Sequence, residues 1–126
     1  MIERFGSGGP WEEAFGYSRV VVAGGRAVTA GCTATVDGVV TGAGDPAAQA
    51  VAAFGVALRA LAEVGVAKRD VVRTRMYLVD RAHGDAVGRA HGEIFAEVRP
   101  AATMVVVAGL LHPEHLVEVE VEAVRG

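Results

Sequence analysis

The chain has 126 residues, of which 52% are hydrophobic, and its 12 basic and 15 acidic side chains leave a formal charge of −3. This length predicts one domain, residues 1–126, because domains typically contain about 100 to 150 residues. Its uncharged stretches are too short to cross a bilayer, its N-terminus lacks the features of a secretory signal, and no basic cluster offers a surface to nucleic acid. A lone Cys32 suits a reducing compartment, so we expect a cytoplasmic protein with neither membrane nor nucleic-acid partners.

The first predicted element is a β-hairpin. Two largely apolar runs, residues 19–23 and 26–31, flank the pair Gly24-Gly25, which can adopt the positive φ angles of a tight turn. Residues 35–41 predict a further short strand or a bulge before two glycines interrupt the pattern.

A long helix is predicted next. Asp45 is a favourable N-cap residue, Pro46 suits the first helical position, and Gly65 is a stop signal. Helical spacing predicts a core-facing stripe of apolar residues at Val51, Phe54, Leu58, Leu61 and Ala62.

The second half of the chain predicts a central strand at residues 70–80 and a second helix at 85–98, which ends before Pro100. The helix carries a stripe that includes His91 among apolar residues. Alternation along the strand places one set of side chains on one face, Val72, Thr74, Met76 and Leu78, and another on the opposite face, Arg73, Arg75, Tyr77 and Val79.

Two more strands complete the prediction. Residues 103–108 are almost all apolar, and residues 117–123 alternate strictly between apolar residues and glutamate, with Glu118, Glu120 and Glu122 on one face. The order β-β-(β)-α-β-α-β-β predicts an α+β fold, a two-layer sandwich in which one mixed sheet carries two helices on one face. The charged second face is then either a solvent face or an oligomer interface.

Several segments together resemble the Rid family (YjgF-like, reactive intermediate deaminases, also called L-PSP endoribonucleases). They are Phe15-Gly16-Tyr17-Ser18, Thr29-Ala30-Gly31, Asp45-Pro46 with its helix, residues 70–80, Arg99-Pro100-Ala101-Ala102-Thr103-Met104-Val105, and Val119-Glu120-Val121-Glu122-Ala123. The resemblance implies a chorismate-mutase-like fold and a homotrimer with clefts between neighbouring subunits. In deaminating members, a cleft arginine pairs with the carboxylate of a 2-imino acid, a glutamate places the hydrolytic water, and a tyrosine closes the cleft.

Carried over by residue, the resemblance assigns the tyrosine to Tyr17, a cleft-bordering glycine to Gly31 and the catalytic glutamate to Glu120. The arginine is missing, because the family's Pro-x-Arg reads Pro100-Ala101-Ala102 here, so we expect an Arg-less subgroup. Two further positions depart from the family's usual residues, Gly88 and Met104. The remaining substrate-binding candidates beside these positions are Cys32, Arg75, Tyr77, Ala102, Thr103 and Met104.

Arg75 and Glu120 each allow a second interpretation. Arg75 is either a replacement anion anchor in the cleft or one half of a structural ion pair with a glutamate of the last strand. Alternating glutamates such as Glu120 also occur on solvated or paired faces without any catalytic role. His112 and His115 lack a third ligand, and Cys32 lacks an activating neighbour, so we expect no metal, no cofactor and no thiolate nucleophile.

The resemblance therefore implies a Rid-like trimer whose clefts accept a small imine, enamine or carbonyl metabolite. One hypothesis is an imine or enamine deaminase in which Glu120 places water and Arg75 substitutes for the anchor. Another is a ligand-binding or regulatory module without catalysis. Ribonuclease activity is disfavoured by the acidic charge and the missing basic patch.

Overall fold

A computed structural model describes residues 1–125 of the chain. The strands are β1 (Ile2–Phe5), β2 (Val20–Ala23), β3 (Arg26–Thr29), β4 (Thr35–Val36), β5 (Val39–Val40), β6 (Val71–Leu78), β7 (Ala101–Val106) and β8 (Val117–Val124). The helices are α1 (Pro10–Phe15), α2 (Pro46–Glu63) and α3 (Gly84–Phe95), and short 3₁₀ turns occupy Lys68–Asp70 and Arg81–His83.

Six strands form the main sheet in the order β1-β2-β3-β8-β6-β7, and β4 and β5 form a separate two-stranded hairpin. In the main sheet β6 and β7 run parallel, and the other neighbouring pairs are antiparallel. The long helices α2 and α3 pack on one face, which we call the covered face. The predicted α+β class and its one-sided helices are therefore confirmed.

The hydrophobic core lies between the helices and the covered face. Phe54 of α2 and Phe95 of α3 are almost fully buried and meet edge to face, with ring centroids 5.3 Å apart. Val117, Val119 and Val121 of β8 are buried beneath them. No helix within residues 1–125 is long and apolar enough to cross a membrane.

Two N-terminal elements were absent from the sequence prediction, β1 and α1. The strand β1 is only four residues long and gains its place by pairing with β2, a tertiary contact that a local pattern does not record. The helix did carry signals, because Pro10 stands at its first position and Gly16 follows it with φ of 73°.

The predicted signals of α2 are confirmed, but its predicted stripe is partly wrong. The Asp45 side chain accepts a hydrogen bond from the Ala48 amide at 3.1 Å, and Gly65 follows the helix with φ of 78°. Val51 and Ala62 are exposed instead of facing the core. Small side chains let a helix approach a sheet closely, and the buried face is formed by Gln49, Ala50, Ala53, Phe54, Ala57 and Leu61.

One position of β6 also departs from the prediction. Val72 is 46% exposed, whereas Val71 is buried. The pairing of β6 with β8 shifts between Val71 and Arg73, and such a bulge changes the face on which the following side chains lie. From Thr74 onward the predicted alternation is confirmed, since Thr74, Met76 and Leu78 are buried.

A buried glutamine connects α2 to the segment that precedes β8. Gln49 Nε2 donates to the Glu114 carbonyl at 2.8 Å, and Gln49 Oε1 accepts from the Leu116 amide at 2.8 Å. Both backbone groups are thus satisfied by one side chain that is itself 0% exposed. Leu116 is held from the other side as well, because its carbonyl accepts from the Val79 amide at 3.2 Å.

Candidate active site

The second face of the sheet, which we call the open face, gathers charged side chains from its two central strands. Pairing between β6 and β8 places Arg73 opposite Glu122, Arg75 opposite Glu120, and Tyr77 opposite Glu118. The side chains at these positions alternate with the buried residues of the covered face. The sequence prediction that these six residues share one face is therefore confirmed.

At one end of the open face, Glu122 forms ion pairs with two arginines. Its Oε2 accepts from Arg75 Nη1 at 2.5 Å, and its Oε1 accepts from Arg26 of β3. Although Glu122 is only 7% exposed, these hydrogen bonds, above all the one from Arg26, lower the pKa of its carboxyl group. Of the two roles considered for Arg75, its contacts match the ion pair.

Glu120 lies in the middle of the open face and is half-buried. The Tyr77 hydroxyl donates to Glu120 Oε1 at 2.5 Å, and this hydrogen bond raises the pKa of Tyr77. Within residues 1–125, no arginine or lysine forms a salt bridge with Glu120. Its second oxygen thus remains available to a water molecule or a ligand.

Glu118 lies at the other end of the row, against Gly31. A Cβ added to Gly31 would overlap Oε2 of Glu118 and would lie 2.9 Å from its Cδ. Glycine is therefore the residue that leaves room for this carboxyl group. Burial, reinforced by the neighbouring Glu120 charge, raises the pKa of Glu118.

Arg19, at the entry to β2, is a site residue that the sequence reasoning missed. Its Nη1 donates to the Gly31 carbonyl at 2.7 Å, and its guanidinium lies 5.7 Å from the centroid of the Tyr17 ring. Its Nε is 3.8 Å from a carboxylate oxygen of Glu12. Arg19 thereby links two predicted residues, Tyr17 and Gly31. The sequence feature that could have identified Arg19 as a site residue is its position two residues after Tyr17.

Cys32 is buried behind this cluster and does not reach the open face. Its backbone forms two hydrogen bonds with Val119, of 2.8 and 2.9 Å, and its side chain is 1% exposed. Burial raises the pKa of the thiol, which keeps it protonated near neutral pH. A buried, protonated thiol is a poor nucleophile.

The remaining candidates lie on β7, an edge strand. Thr103 is paired with Arg75, which is paired with Glu120, so these three residues form one row across the open face. Ala102 and Met104 alternate with Thr103 and point to the other side of the strand, where Met104 lies beside Gly88 of α3. Because β8 and β6 separate β3 from β7, Gly31 and Ala102 lie about 14 Å apart across the sheet.

Several of the predicted site residues fall into two separate groups within one chain. Arg19 contacts both Tyr17 and Gly31, Glu118 lies against Gly31, and Glu120 is two residues from Glu118 on the same face. We call these five residues the Gly31 cluster. Ala102 and Met104 lie on the edge strand β7, with their side chains on the covered face.

Two histidines, His91 and His115, lie against threonine hydroxyl groups. His91 Nε2 is 2.8 Å from the Thr74 hydroxyl, and its ring packs between Phe54 and Phe95. His115 Nε2 is 2.7 Å from the Thr35 hydroxyl. No group of three His, Cys, Asp or Glu side chains in the described part of the chain could hold a metal ion.

Comparison with known proteins gives a consistent set of relatives. The model of the Endoribonuclease L-PSP family matches residues 11–125. The uncharacterized protein SCO2049 of Streptomyces coelicolor is 49% identical over 125 residues, which cover 99% of this chain and 93% of that protein. The crystal structure of Rv2704 from Mycobacterium tuberculosis, a member of the YjgF/YER057c/UK114 family, is 38% identical and has a TM-score of 0.88, covering 98% of this chain and 99% of that one. A conserved Rid family protein of unknown function, YyfA from Yersinia pestis, has the same fold at 22% identity, with a TM-score of 0.80 and 86% of each chain covered.

Proposed function

Because the chain belongs to the Rid family, the YjgF-like proteins whose family model is Endoribonuclease L-PSP, we propose that it is a homotrimer that hydrolyses a small imine or enamine in intersubunit clefts. Each cleft would combine the Gly31 cluster of one subunit with the β7 edge of its neighbour. Glu120 would be the catalytic residue, and Tyr17, Gly31 and Tyr77 would line the substrate.

The separation of the two residue groups supports a cleft between subunits. Gly31 and Ala102 lie too far apart across one sheet to contact the same small molecule. The strand β7 has a free hydrogen-bonding edge, and its Val105 and Val106 are 42% and 53% exposed. Exposed apolar edge strands favour association with another chain, so a neighbouring subunit would both cover β7 and complete the cleft.

The hydrogen bond between Tyr77 and Glu120 is the observation that carries the proposed chemistry. It fixes one carboxylate oxygen and leaves the other free to accept a proton from water. Water polarised by Glu120 would attack the C=N carbon and form a tetrahedral carbinolamine. Transfer of a proton to nitrogen then releases ammonia and leaves a carbonyl compound, so that one water molecule is consumed for each C=N bond broken.

A second candidate function, ligand binding without catalysis, is favoured by the alanine at position 102. A family deaminase uses an arginine there to hold a substrate carboxylate, and losing such a charged anchor costs roughly 2 to 5 kcal/mol. Arg75 is a poor replacement because its guanidinium already pairs with Glu122. In this alternative, the cleft binds a carbonyl or imine metabolite and signals its level.

Hydrolysis can be tested by generating reactive imines in situ and measuring ammonia or carbonyl release above the buffer rate. We expect the natural chain to accelerate hydrolysis and Glu120→Gln to abolish the acceleration, while Ala102→Arg should raise activity toward 2-iminoglutarate and 2-aminoacrylate. If the chain is a binding module, neither the natural chain nor its variants should accelerate imine hydrolysis. Sedimentation at micromolar concentration tests the assembly, because a monomer there would contradict the intersubunit cleft.

A further inference from the structure

We propose that the cleft selects an imine that lacks a carboxylate and carries positive charge when protonated, and that Glu118 is a specificity-determining residue for it. This inference rests on the proposed function and names the substrate class of the same cleft. It follows from the charges around Gly31, from the position of the Glu118 carboxyl group and from the side chain at position 102.

The first step is the balance of charge on the open face. Glu122 already pairs with Arg26 and Arg75. Arg73 stands opposite Glu122, away from the Gly31 end of the row. Glu118 and Glu120 therefore lie two residues apart on the same face without a salt bridge to any arginine, lysine or histidine among residues 1–125.

Arg19 is the cation nearest to this end of the row, and its donors are largely committed. Its guanidinium gives one hydrogen bond to the Gly31 carbonyl at 2.7 Å, approaches the Cys32 sulfur at 3.6 Å and lies 3.8 Å from a Glu12 oxygen. Arg19 holds the backbone in place, but it forms no salt bridge with Glu118. The carboxyl pair thus contributes negative charge to the cleft that Arg19 offsets only in part.

The position of Glu118 is the second step. Its carboxyl group occupies the space beside the Gly31 Cα where any other residue would place a side chain. In the proposed cleft, Gly31 borders the substrate, so Glu118 would lie at the substrate's edge. A half-buried carboxylate without a salt-bridge partner gains most from a ligand that brings a positive charge. Burial and the Glu120 charge raise the pKa of Glu118, and Arg19 offsets them only in part.

The third step concerns position 102. Ala102 presents a methyl group where a substrate carboxylate would need a guanidinium or a similar donor. A 2-imino acid entering this cleft would bring a negative charge to Glu118 and Glu120 without finding an anchor. A protonated alkyl imine avoids this repulsion, and its hydrolysis with one water molecule yields a ketone or aldehyde and ammonium.

The test compares two imine classes generated in situ, one from an amino acid by an amino acid oxidase and one from a primary alkyl amine by an amine oxidase. We expect kcat/KM to be at least ~10-fold higher for the alkyl imine, because the cleft should bind its transition state more tightly by that factor. Glu118→Gln should lower the alkyl imine value about 10-fold without lowering the 2-imino acid value. Glu97→Gln, which removes the same charge at an exposed site after α3, is the matched control and should change neither.

A binding measurement on the natural chain keeps the inference testable if Glu118→Gln folds poorly. Isopropylammonium chloride should raise the melting temperature more than sodium propionate does at equal ionic strength. A higher kcat/KM for the 2-imino acid would overturn the charge selection and leave the proposed hydrolysis intact. No acceleration of either imine would overturn the proposed hydrolysis; stabilisation by the ammonium ion would then still support charge selection, and stabilisation by propionate would overturn it.

Discussion

The covered face and the open face of the sheet are built from different side chains. On the covered face, Phe54, Leu61 and Phe95 are almost fully buried and pack against the valines of β8. On the open face, β6 and β8 present glutamates, arginines and a tyrosine, and all of these except Glu122 remain partly exposed. The covered face supplies most of the apolar burial that stabilises the fold, which leaves the open face free to hold charges for another purpose.

The two ends of the open face differ as well. Glu122 is surrounded by arginines that lower its pKa, whereas Glu118 lies against Gly31 with a raised pKa. The pKa values of two glutamates that lie four residues apart on one strand are thus shifted in opposite directions because their neighbours differ. The ion pairs give the Glu122 end a structural role, and the contrast fits the proposal that a ligand binds at the Gly31 end.

Removing an aromatic ring from the covered face should have the largest effect on stability. Phe54→Ala deletes a fully buried side chain and should lower the free energy of unfolding by about 3 to 5 kcal/mol, as measured by urea denaturation. Val39→Ala on β5, where Val39 is 64% exposed, is the control and should change it by less than about 0.5 kcal/mol. Equal losses in the two variants would contradict the assignment of the core.

Breaking the ion pairs at the Glu122 end should come next. Glu122→Gln weakens two charge-assisted hydrogen bonds and should cost about 1 to 2 kcal/mol at neutral pH, at the low end because both arginines are accessible to solvent. Since the folded pKa of Glu122 lies below its unfolded value, its contribution is present above the unfolded pKa and is lost as the pH falls through the folded pKa. The difference between variant and natural chain should therefore shrink below pH ~4, and a difference that persisted there would rule out the ionic origin.

Filling the space beside Gly31 should have a smaller effect that depends on Glu118. Gly31→Ala forces the carboxyl group aside and should destabilise the chain by about 1 kcal/mol. The loss should be reduced in the double variant with Glu118→Ala, and a double-mutant cycle measures this coupling. Gly92→Ala is the matched control, because nothing lies within 4 Å of the added Cβ. An exposed helical position also favours alanine over glycine. Additive effects of the two substitutions would show that the carboxyl group does not occupy this space.

Glu118→Gln should have the smallest effect on stability and the opposite sign to Glu122→Gln. The folded pKa of Glu118 is raised, so its ionised form is disfavoured in the folded chain at neutral pH, and this penalty is relieved as the pH falls through the folded pKa. The variant should be more stable at pH 7 by no more than about 1 kcal/mol, and the gain should disappear near pH ~4. Thermal denaturation between these pH values measures it, and a loss of stability at neutral pH would contradict the proposed environment.

Much of this fold could be predicted from local patterns. Asp45 and Gly65 marked the ends of α2, and the alternation of residues 117–123 placed the glutamates on the face opposite the helices. What could not be predicted depended on neighbours that are distant in sequence. The bulge beside Val72 arises where β6 meets β8, and the buried face of α2 uses alanines that a search for large apolar residues passes over.

The same distinction holds for the candidate site. Alternation alone placed Arg75 and Glu120 on one face, but Arg75 pairs diagonally with Glu122 instead of with the glutamate directly opposite. The contact of Glu118 with Gly31 requires the sheet order, because the segment after β3 and the strand β8 become neighbours only in the folded chain. Arg19 was missed because the sequence pattern described it only as the start of a strand.

The hydrogen bonds of Gln49 also contribute to the register of β8. Because a strand's side chains alternate, a shift of one residue would exchange the buried valines for the glutamates and place carboxylates beneath α2. Gln49 accepts a hydrogen bond from the Leu116 amide, and the Val79 amide donates to the Leu116 carbonyl. Both contacts hold Leu116, the residue immediately before β8, and so restrain the start of the strand. One amide side chain in the helix layer thereby helps to place Glu118, Glu120 and Glu122 on the open face.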